Sequence, residues 1–335
     1  MFYFGADLHA AHRIWIDRCA VTGDSGLAVG QLRDLAAGPD RPEAIVLGGD
    51  VTDAAETDGY VLDLLRGFME TCRTAGIPVY HITGNHDPAI DGRSIMEALG
   101  SQHIGGRTVA IGALRVHGLD YLAPDRIRQA LADVPPCDYL VMHQSCKHLL
   151  GYGTGVLTDD DIPAHVGAVL VGHVHTQDSR GRIHSPGSMQ PTSRDEGCKA
   201  HGILRIEGAS VTPVRFRTRL IETLDATDPE KKMQAVVRLG RLQAQAAAEP
   251  LQPVAFVMYS KGDLPLDQAA YPSLLVLPLE AAPEAGPARA DTAKGGGILS
   301  VLDAMEGTPE AKALVRSLLE SADQRKTIHD WLNSK

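Results

Sequence analysis

Five times along this chain a short unbroken apolar run ends in Asp, Asn or His. Phe2-Tyr3-Phe4 leads to Asp7-Leu8-His9, and Ala44-Ile45-Val46-Leu47 leads to Gly49-Asp50. Val79-Tyr80-His81-Ile82 leads to Gly84-Asn85-His86-Asp87. Tyr139-Leu140-Val141-Met142 precedes His143, and Ala168-Val169-Leu170-Val171 precedes Gly172-His173-Val174-His175. Continuous apolar runs of this length are the pattern of strands covered on both faces. In open α/β sheets, functional side chains gather at the carboxyl ends of such strands. Gly48, Gly49, Gly84 and Gly172 let the backbone turn sharply there. Helical stretches over 26–37 and 59–75 alternate with the strands, so an α/β layered domain is expected.

The blocks supply two carboxylates (Asp7, Asp50), one amide carbonyl (Asn85) and four imidazoles (His9, His143, His173, His175). Asn85 can offer only its carbonyl oxygen, because its amide nitrogen has no available lone pair. This mixed oxygen and nitrogen set suits a pair of divalent ions such as Mn²⁺, Fe²⁺ or Zn²⁺. Paired ions activate water and clamp the departing oxygen of a phosphoester. Phosphoester hydrolysis is the chemistry these residues point to, and His86 is the one imidazole left over.

At 335 residues the length favours two domains, and 44% hydrophobic residues suffice for a large core. No segment approaches the ~18 unbroken apolar residues of a membrane span. Met1 leads straight into the first strand without a basic stretch, so no signal peptide is expected. Cys19, Cys72, Cys137, Cys146 and Cys198 are scattered without a C-x-x-C pair, the usage of reduced thiols in cytoplasm. Cys146 lies three residues past His143, but the ligand set is full without it. The net charge of −10 runs against the basic patches of nucleic-acid binders.

Every metal motif falls within residues 1–195. Residues 196–280 read as strand (210–219), helix, then strands at 254–259 and 274–279. Asp228 as N-cap with Pro229 at the first position announces that helix. A Pro/Gly/Ala linker follows over 281–297. Over 298–335 lie a short apolar helix and a longer one with a stripe of Ala311, Leu314, Val315, Leu318, Leu319 and Ala322, extended by Ile328, Trp331 and Leu332. Such a stripe packs on its own domain or docks on a partner helix.

The order D-x-H, G-D-x-x-D, G-N-H-D, H, G-H-x-H resembles the calcineurin-like metallophosphoesterase superfamily. Within it the chain is similar to the SbcD-type DNA-repair nuclease subunits and their phage recombination relatives. The narrower likeness rests on Ser185-Pro186-Gly187-Ser188-Met189-Gln190-Pro191-Thr192-Ser193 after the last metal strand, and on the small domain, linker and helical pair that follow. The fold implied is a β-sandwich flanked by helices, with a small α+β capping domain over 196–280 and a C-terminal helical pair. The resemblance implies that Asp7, His9, Asp50 and His175 hold one ion. Asp50, Asn85, His143 and His173 hold the other, with the Asp50 carboxylate bridging.

It further implies that His86 stays off the ions and assists the departing oxygen, oriented by Asp53. Asp87 is expected to brace its own turn through backbone hydrogen bonds. After the first motif the relatives continue with Leu-Gly where this chain has Ala10-Ala11-His12; His12 is expected to be an exposed loop histidine, the alternative being a group behind the ligands or against the substrate. His81 reads as core or as a group behind the ligands, and His117, His148, His165, His184 and His201 as structural or exposed. The leading expectation is a cytoplasmic Mn²⁺-dependent nuclease subunit acting on DNA. Its expected partner is an SbcC-type coiled-coil ATPase, bound through 298–335, and a homodimer stays open. The alternative is a stand-alone phosphodiesterase or phosphatase on nucleotides or phosphoproteins.

Overall fold

The computed structural model describes residues 1–17, 19–54, 57–87, 93–147, 157–260 and 266–280. The expected linker (281–297), the helical segment (298–335) and His148 lie outside the described residues.

Two six-stranded sheets carry the fold. The first contains β1 (Phe2–Gly5), β4 (Ala44–Gly48), β5 (Val79–Ile82), β6 (Gln102–His103), β13 (Gly202–Glu207) and β14 (Ser210–Arg215), in the order β14-β13-β1-β4-β5-β6. The second contains β7 (Thr108–Ile111), β8 (Leu114–Leu119), β9 (Cys137–His143), β10 (Val166–Gly172), β11 (Gln177–Arg180) and β12 (Ile183–Pro186), in the order β11-β12-β10-β9-β8-β7. The five motif-bearing runs are β1, β4 and β5 of the first sheet, all parallel, and β9 and β10 of the second, parallel to each other.

The apolar runs are continuous because both faces of each central strand are covered. From β1, Phe2 and Phe4 enter a core shared with Tyr139, Val141 and Leu170 of the second sheet. Tyr3, between them, joins Ile45 and Leu47 against the helices α1 (Asp24–Ala37) and α2 (Gly59–Ala75). On the far side, Leu140, Met142, Val169 and Val171 pack with Ile127 and Leu131 of α3 (Pro124–Ala132). The layers therefore run helix, sheet, sheet, helix. Burying Phe2 and Phe4 fully contributes roughly 1.5–3 kcal/mol each. Helix α2 opens where the Asp58 carboxylate accepts from the Val61 N–H at 3.0 Å, and stops at Gly76, whose φ of 71° suits a residue without a Cβ.

The first sheet takes in residues 202–215, beyond the boundary read at 195, because β13 pairs antiparallel with β1. The remaining strands β15 (Ile221–Asp225), β16 (Val254–Tyr259) and β17 (Leu275–Glu280) form a parallel three-stranded sheet. One face carries α4 (Pro229–Gln245), capped by Asp228 as its sequence announced. The other face is covered by the hairpin of β2 (Arg13–Ile16) and β3 (Cys19–Thr22), which directly follows Asp7-Leu8-His9. Arg219 fastens this module, donating to both oxygens of buried Asp24 at the start of α1 and to the Thr22 carbonyl at 2.7 Å. Among the described residues no helix is long and apolar enough to cross a membrane.

Candidate metal centre

The site forms where the carboxyl ends of the two sheets meet. Past β1 and β4 the chain keeps its parallel pairing: Asp7 N donates to Gly49 O (3.1 Å), and His9 N to Asp50 O (2.9 Å). This holds Asp7, His9 and Asp50 side by side, each in the left-handed region, with φ of 52°, 45° and 50°. His173, from the second sheet, shares that conformation at φ 77°. Such backbone costs of order 1–3 kcal/mol per residue and marks functional positions. Neighbouring glycines make the close approach feasible: a Cβ at Gly49 would fall 2.6 Å from His143 Nδ1, and one at Gly84 would collide with the Asp50 carboxylate.

Three groups of side chains have ligand atoms within 4.8 Å of one another: Asp7, His9 and His175; Asp50, His143 and His173; and His9, Asp50 and His86. The first two are parts of the sets expected for two ions, without Asp50 in the first and without Asn85 in the second, and the third groups Asp50 with His86, which was expected to stay off the ions. Asn85 is exposed in the adjoining turn, next to His86. Asp7 and Asp50 are buried carboxylates. Burial pushes the Asp7 carboxyl up, against the pull of His143, His175 and His9. Burial also opposes ionisation of Asp50, but His143, the His86 N–H and His9 outweigh it and leave it at about 2. His173 is pushed down to about 4 by burial and by its imidazole neighbour His143, so it stands neutral with a lone pair to give.

These residues fit divalent cations on one decisive observation. His143 is wholly buried and its Nδ1 donates to Gly48 O at 2.8 Å, which leaves Nε2 unprotonated unless the ring is charged. That Nε2 has no hydrogen-bond partner, although Asp50 Oδ2 lies 3.2 Å away and Asp7 Oδ1 3.9 Å away. Burial lowers the His143 pKa, but Asp50 and Asp7 outweigh it and raise it to about 9, so the space between the two buried carboxylates calls for positive charge, which a bound cation supplies in place of the ring's second proton. The ions' sites would draw on Asp7, His9, Asp50 and His175 on one side and Asp50, His143, His173 and Asn85 on the other.

The surrounding residues fix the ligands. Asp7 accepts the His173 N–H at 2.9 Å on both oxygens, tying the first sheet to the second. Asp87 braces the turn as expected: its Oδ2 accepts from Gly84 N (2.8 Å) and its Oδ1 from Val51 N, so it also joins the loops after β4 and β5. Asp53 departs from expectation. Its carboxylate lies 3.2 Å from His9 Nδ1, and His86 Nδ1 donates instead to the Asp53 backbone carbonyl at 2.9 Å. The carboxylate is drawn to His9 because that ring's Nε2 faces the cluster and leaves Nδ1–H to be satisfied.

Glu196 carries no motif and was missed by sequence reasoning. It accepts from His175 Nδ1 at 2.8 Å and from Thr192 N at 2.8 Å. Burial raises its carboxyl, but His175 and Thr192 outweigh that and hold it at about 2. Tyr121, also unflagged, sets its ring 5.9 Å from that of His173 and 6.2 Å from that of His143. His81 is core, bonded to Ser101 and Ser94. His12 is exposed, with its ring 4.8 Å from that of Tyr60. Cys146 is buried in the apolar layer around α3, and burial pushes its thiol up to about 12, which removes it from the ligand set.

Comparison with known proteins bears on this geometry. The chain matches no curated protein sequence. A solved crystal structure aligns with 64% of this chain and 98% of its own length, at 12% identity and a TM-score of 0.38, a likeness too slight to carry an argument. The sequence model described as calcineurin-like phosphoesterase matches residues 6–177, which contain all seven candidate ligands, His86 and Asp53. With more than half its length matched and the strand-end residues gathered at one centre, the chain belongs to the calcineurin-like phosphoesterase family.

Proposed function

We propose that this phosphoesterase is a Mn²⁺-dependent nuclease subunit that cleaves phosphodiester bonds in DNA. It would work in the cytoplasm with an SbcC-type coiled-coil ATPase in repair or recombination. The observation that carries the reading is the place of the Ser185–Ser193 stretch, on which the narrower resemblance rests. Ser188 bridges to Ala6, Met189 N donates to Asp7 O at 3.3 Å, and Gln190 Nε2 donates to the carbonyls of Leu8 (2.6 Å) and His9 (3.2 Å). The segment thus clamps the back of the first metal motif. All five cysteines are unpaired, in keeping with a reducing compartment.

Divalent ions, when bound, supply Lewis-acid charge against the phosphate and lower the pKa of water. The chain's own residues do the rest. His86 is exposed, and the Asp53 carbonyl can only accept, so the proton on Nδ1 is fixed and Nε2 is the atom left to protonate the departing oxygen. The Asp50 carboxylate is held in place by the His86 N–H at 2.8 Å, so the residue that handles the proton also orients the shared ligand. His173 and His143 add nitrogen donors without adding negative charge that repels phosphate.

The net charge of −10 favours a second reading, a stand-alone phosphodiesterase on nucleotides or phosphoproteins. One experiment separates them. The intact chain and a chain lacking 298–335 are assayed with Mn²⁺ on labelled single- and double-stranded DNA and on a chromogenic phosphodiester, with pull-down of an SbcC-type coiled-coil ATPase. The nuclease reading expects the truncated chain to keep the small substrate and lose both partner and ATP-dependent DNA cleavage. Equal DNA cleavage by both chains, without a partner, would overturn it.

A further inference from the structure

Beside the centre, on the Asp53 side, lies a cleft of about 390 Å³, within the range of small-ligand sites. Asp53 is its shared wall: the carboxylate meets His9, and the backbone carbonyl holds His86. A group in the cleft is therefore next door to the scissile phosphate.

The lining narrows what that group can be. Ala10, Ala11, Ala54 and Val61 are short and apolar, and Asp53 and Asp58 bring two carboxylates. That combination repels a second phosphate and suits a flat, neutral group with hydrogen-bonding edges. The ring of His12 lines this cleft, and Tyr60, which does not line it, backs that ring at 4.8 Å with the planes tilted by 32°. Tyr60 is 38% exposed, and its hydroxyl would meet a Cβ at Gly26 at 2.9 Å, so the missing side chain on α1 gives it room. The backbone before His12 is pinned as well: Ser25 Oγ accepts from Ala11 N at 3.1 Å and donates to Ala11 O at 3.0 Å. The aromatic surface is therefore built in, and is no loose loop.

The rim is different in character. Arg13 lines the cleft, is exposed, and makes no ion pair among the described residues. Trp15 lies on the same face of β2, about 7 Å further along, and is 63% exposed while its neighbours Ile14 and Ile16 are buried. An exposed tryptophan beside an exposed arginine is what a chain of stacked bases and phosphates requires.

We propose that the cleft lined by residues 10–13 and by Asp53, Ala54, Thr57, Asp58 and Val61 is a nucleoside subsite, in which the His12 ring, backed by Tyr60, stacks a base flanking the scissile phosphate and Arg13 meets the next phosphate. The proposal rests on the phosphodiester hydrolysis that both readings above share, and gives it a substrate class, nucleotides and single-stranded nucleic acid in preference to phosphoproteins.

The test compares the full-length Mn²⁺-loaded chain with His12→Ala, Tyr60→Leu and the stacking-competent His12→Phe. The substrates are a thymidine dinucleotide and methyl p-nitrophenyl phosphate, which has no nucleoside. The expected result is a loss of about 10-fold in kcat/KM on the dinucleotide, mainly through KM, as base stacking on an aromatic surface implies. The same variants should hydrolyse the methyl ester within about twofold of the parent, and His12→Phe should recover the dinucleotide rate. Equal losses on both substrates, or no loss on the dinucleotide, would overturn the subsite while leaving the phosphodiesterase reading intact. Fluorescence anisotropy of labelled oligothymidylate, in a His86→Asn background, reads binding apart from turnover. There His12→Ala and Arg13→Ala should each weaken binding, and Arg13→Ala should also lower its salt dependence. If the parent hydrolyses neither substrate yet these variants weaken binding, the subsite stands and the activity reading fails. Unchanged anisotropy in both variants overturns the subsite.

Discussion

The two sheets bring opposite chemistry to one centre. The first contributes both candidate carboxylate ligands, Asp7 and Asp50, with His9; the second contributes imidazoles only, His143, His173 and His175. Each half is oriented by the other. The second sheet's His173 N–H holds Asp7, and the first sheet's Gly48 carbonyl holds the ring of His143. The centre is therefore a seam, and neither sheet could present a ligand set alone. Carboxylates sit on one side of the seam and imidazoles on the other, an arrangement that gains from cations placed between them.

The hardest way to break this picture is to remove what joins the halves. Chelation should abolish turnover, with Mn²⁺ restoring it better than Mg²⁺, which fits imidazole-rich sites poorly. Asp50→Asn should mimic chelation, losing ion binding by metal analysis and losing more rate than the roughly 10–100-fold typical of an outer partner. Full activity in excess chelator would dissolve the seam argument.

A narrower test separates holding from reacting. His86→Asn should retain both ions yet lose roughly 10²-fold or more in kcat, the usual weight of a positioned acid or base. An ion-free His86→Asn protein would show that this imidazole is a ligand after all.

The halves also differ in how their imidazoles are backed. His175 is backed by buried Glu196, and His9 by exposed Asp53. Glu196→Gln should therefore cost towards 100-fold in Mn²⁺ affinity, and Asp53→Asn nearer 10-fold, across the range seen for such partners. Mn²⁺ titrations of the two variants measure this, and the reverse order would mean that burial does not set the strength of the backing.

The smallest effect on rate belongs to His81, buried like His143 but with both ring nitrogens bonded to serine hydroxyls. Burial and the neighbouring His103 push its pKa down to about 4, so the folded state holds it neutral. The unfolded chain takes up its proton near the ordinary value of 6.5, so stability from His81 is full above that pH and is lost as pH falls towards 4. The loss amounts to about 3 kcal/mol. Urea unfolding at pH 7.5 and pH 5 measures roughly the first 2 kcal/mol of it, and His81→Gln should flatten that difference.

The strand ends were legible because a strand covered on both faces must be apolar throughout, so the first polar residue after it marks the exit. That logic located Asp7, Asp50, Asn85, His143 and His173 together with their strands. It also placed α2 at 59–75 and the helix capped by Asp228. Glu196 was not legible, since it reaches His175 from a short turn 21 residues away and belongs to no periodic pattern. The partner of Asp53 escaped for a related reason. Spacing brings a carboxylate near two histidines, but only the ring orientation decides that His9 takes the side chain and His86 the carbonyl.

The left-handed backbone at Asp7, His9, Asp50 and His173 has a consequence for how this protein can change. At each of these positions glycine would relax the chain, and the reactive residue stands there against the local conformational preference. A lineage that drifted away from catalysis would thus find its stabilising substitutions at the very residues that had made it an enzyme. The backbone at these four positions pulls against the side chains that make the site, and the hydrogen bonds that Asp7 and Asp50 accept pull the other way.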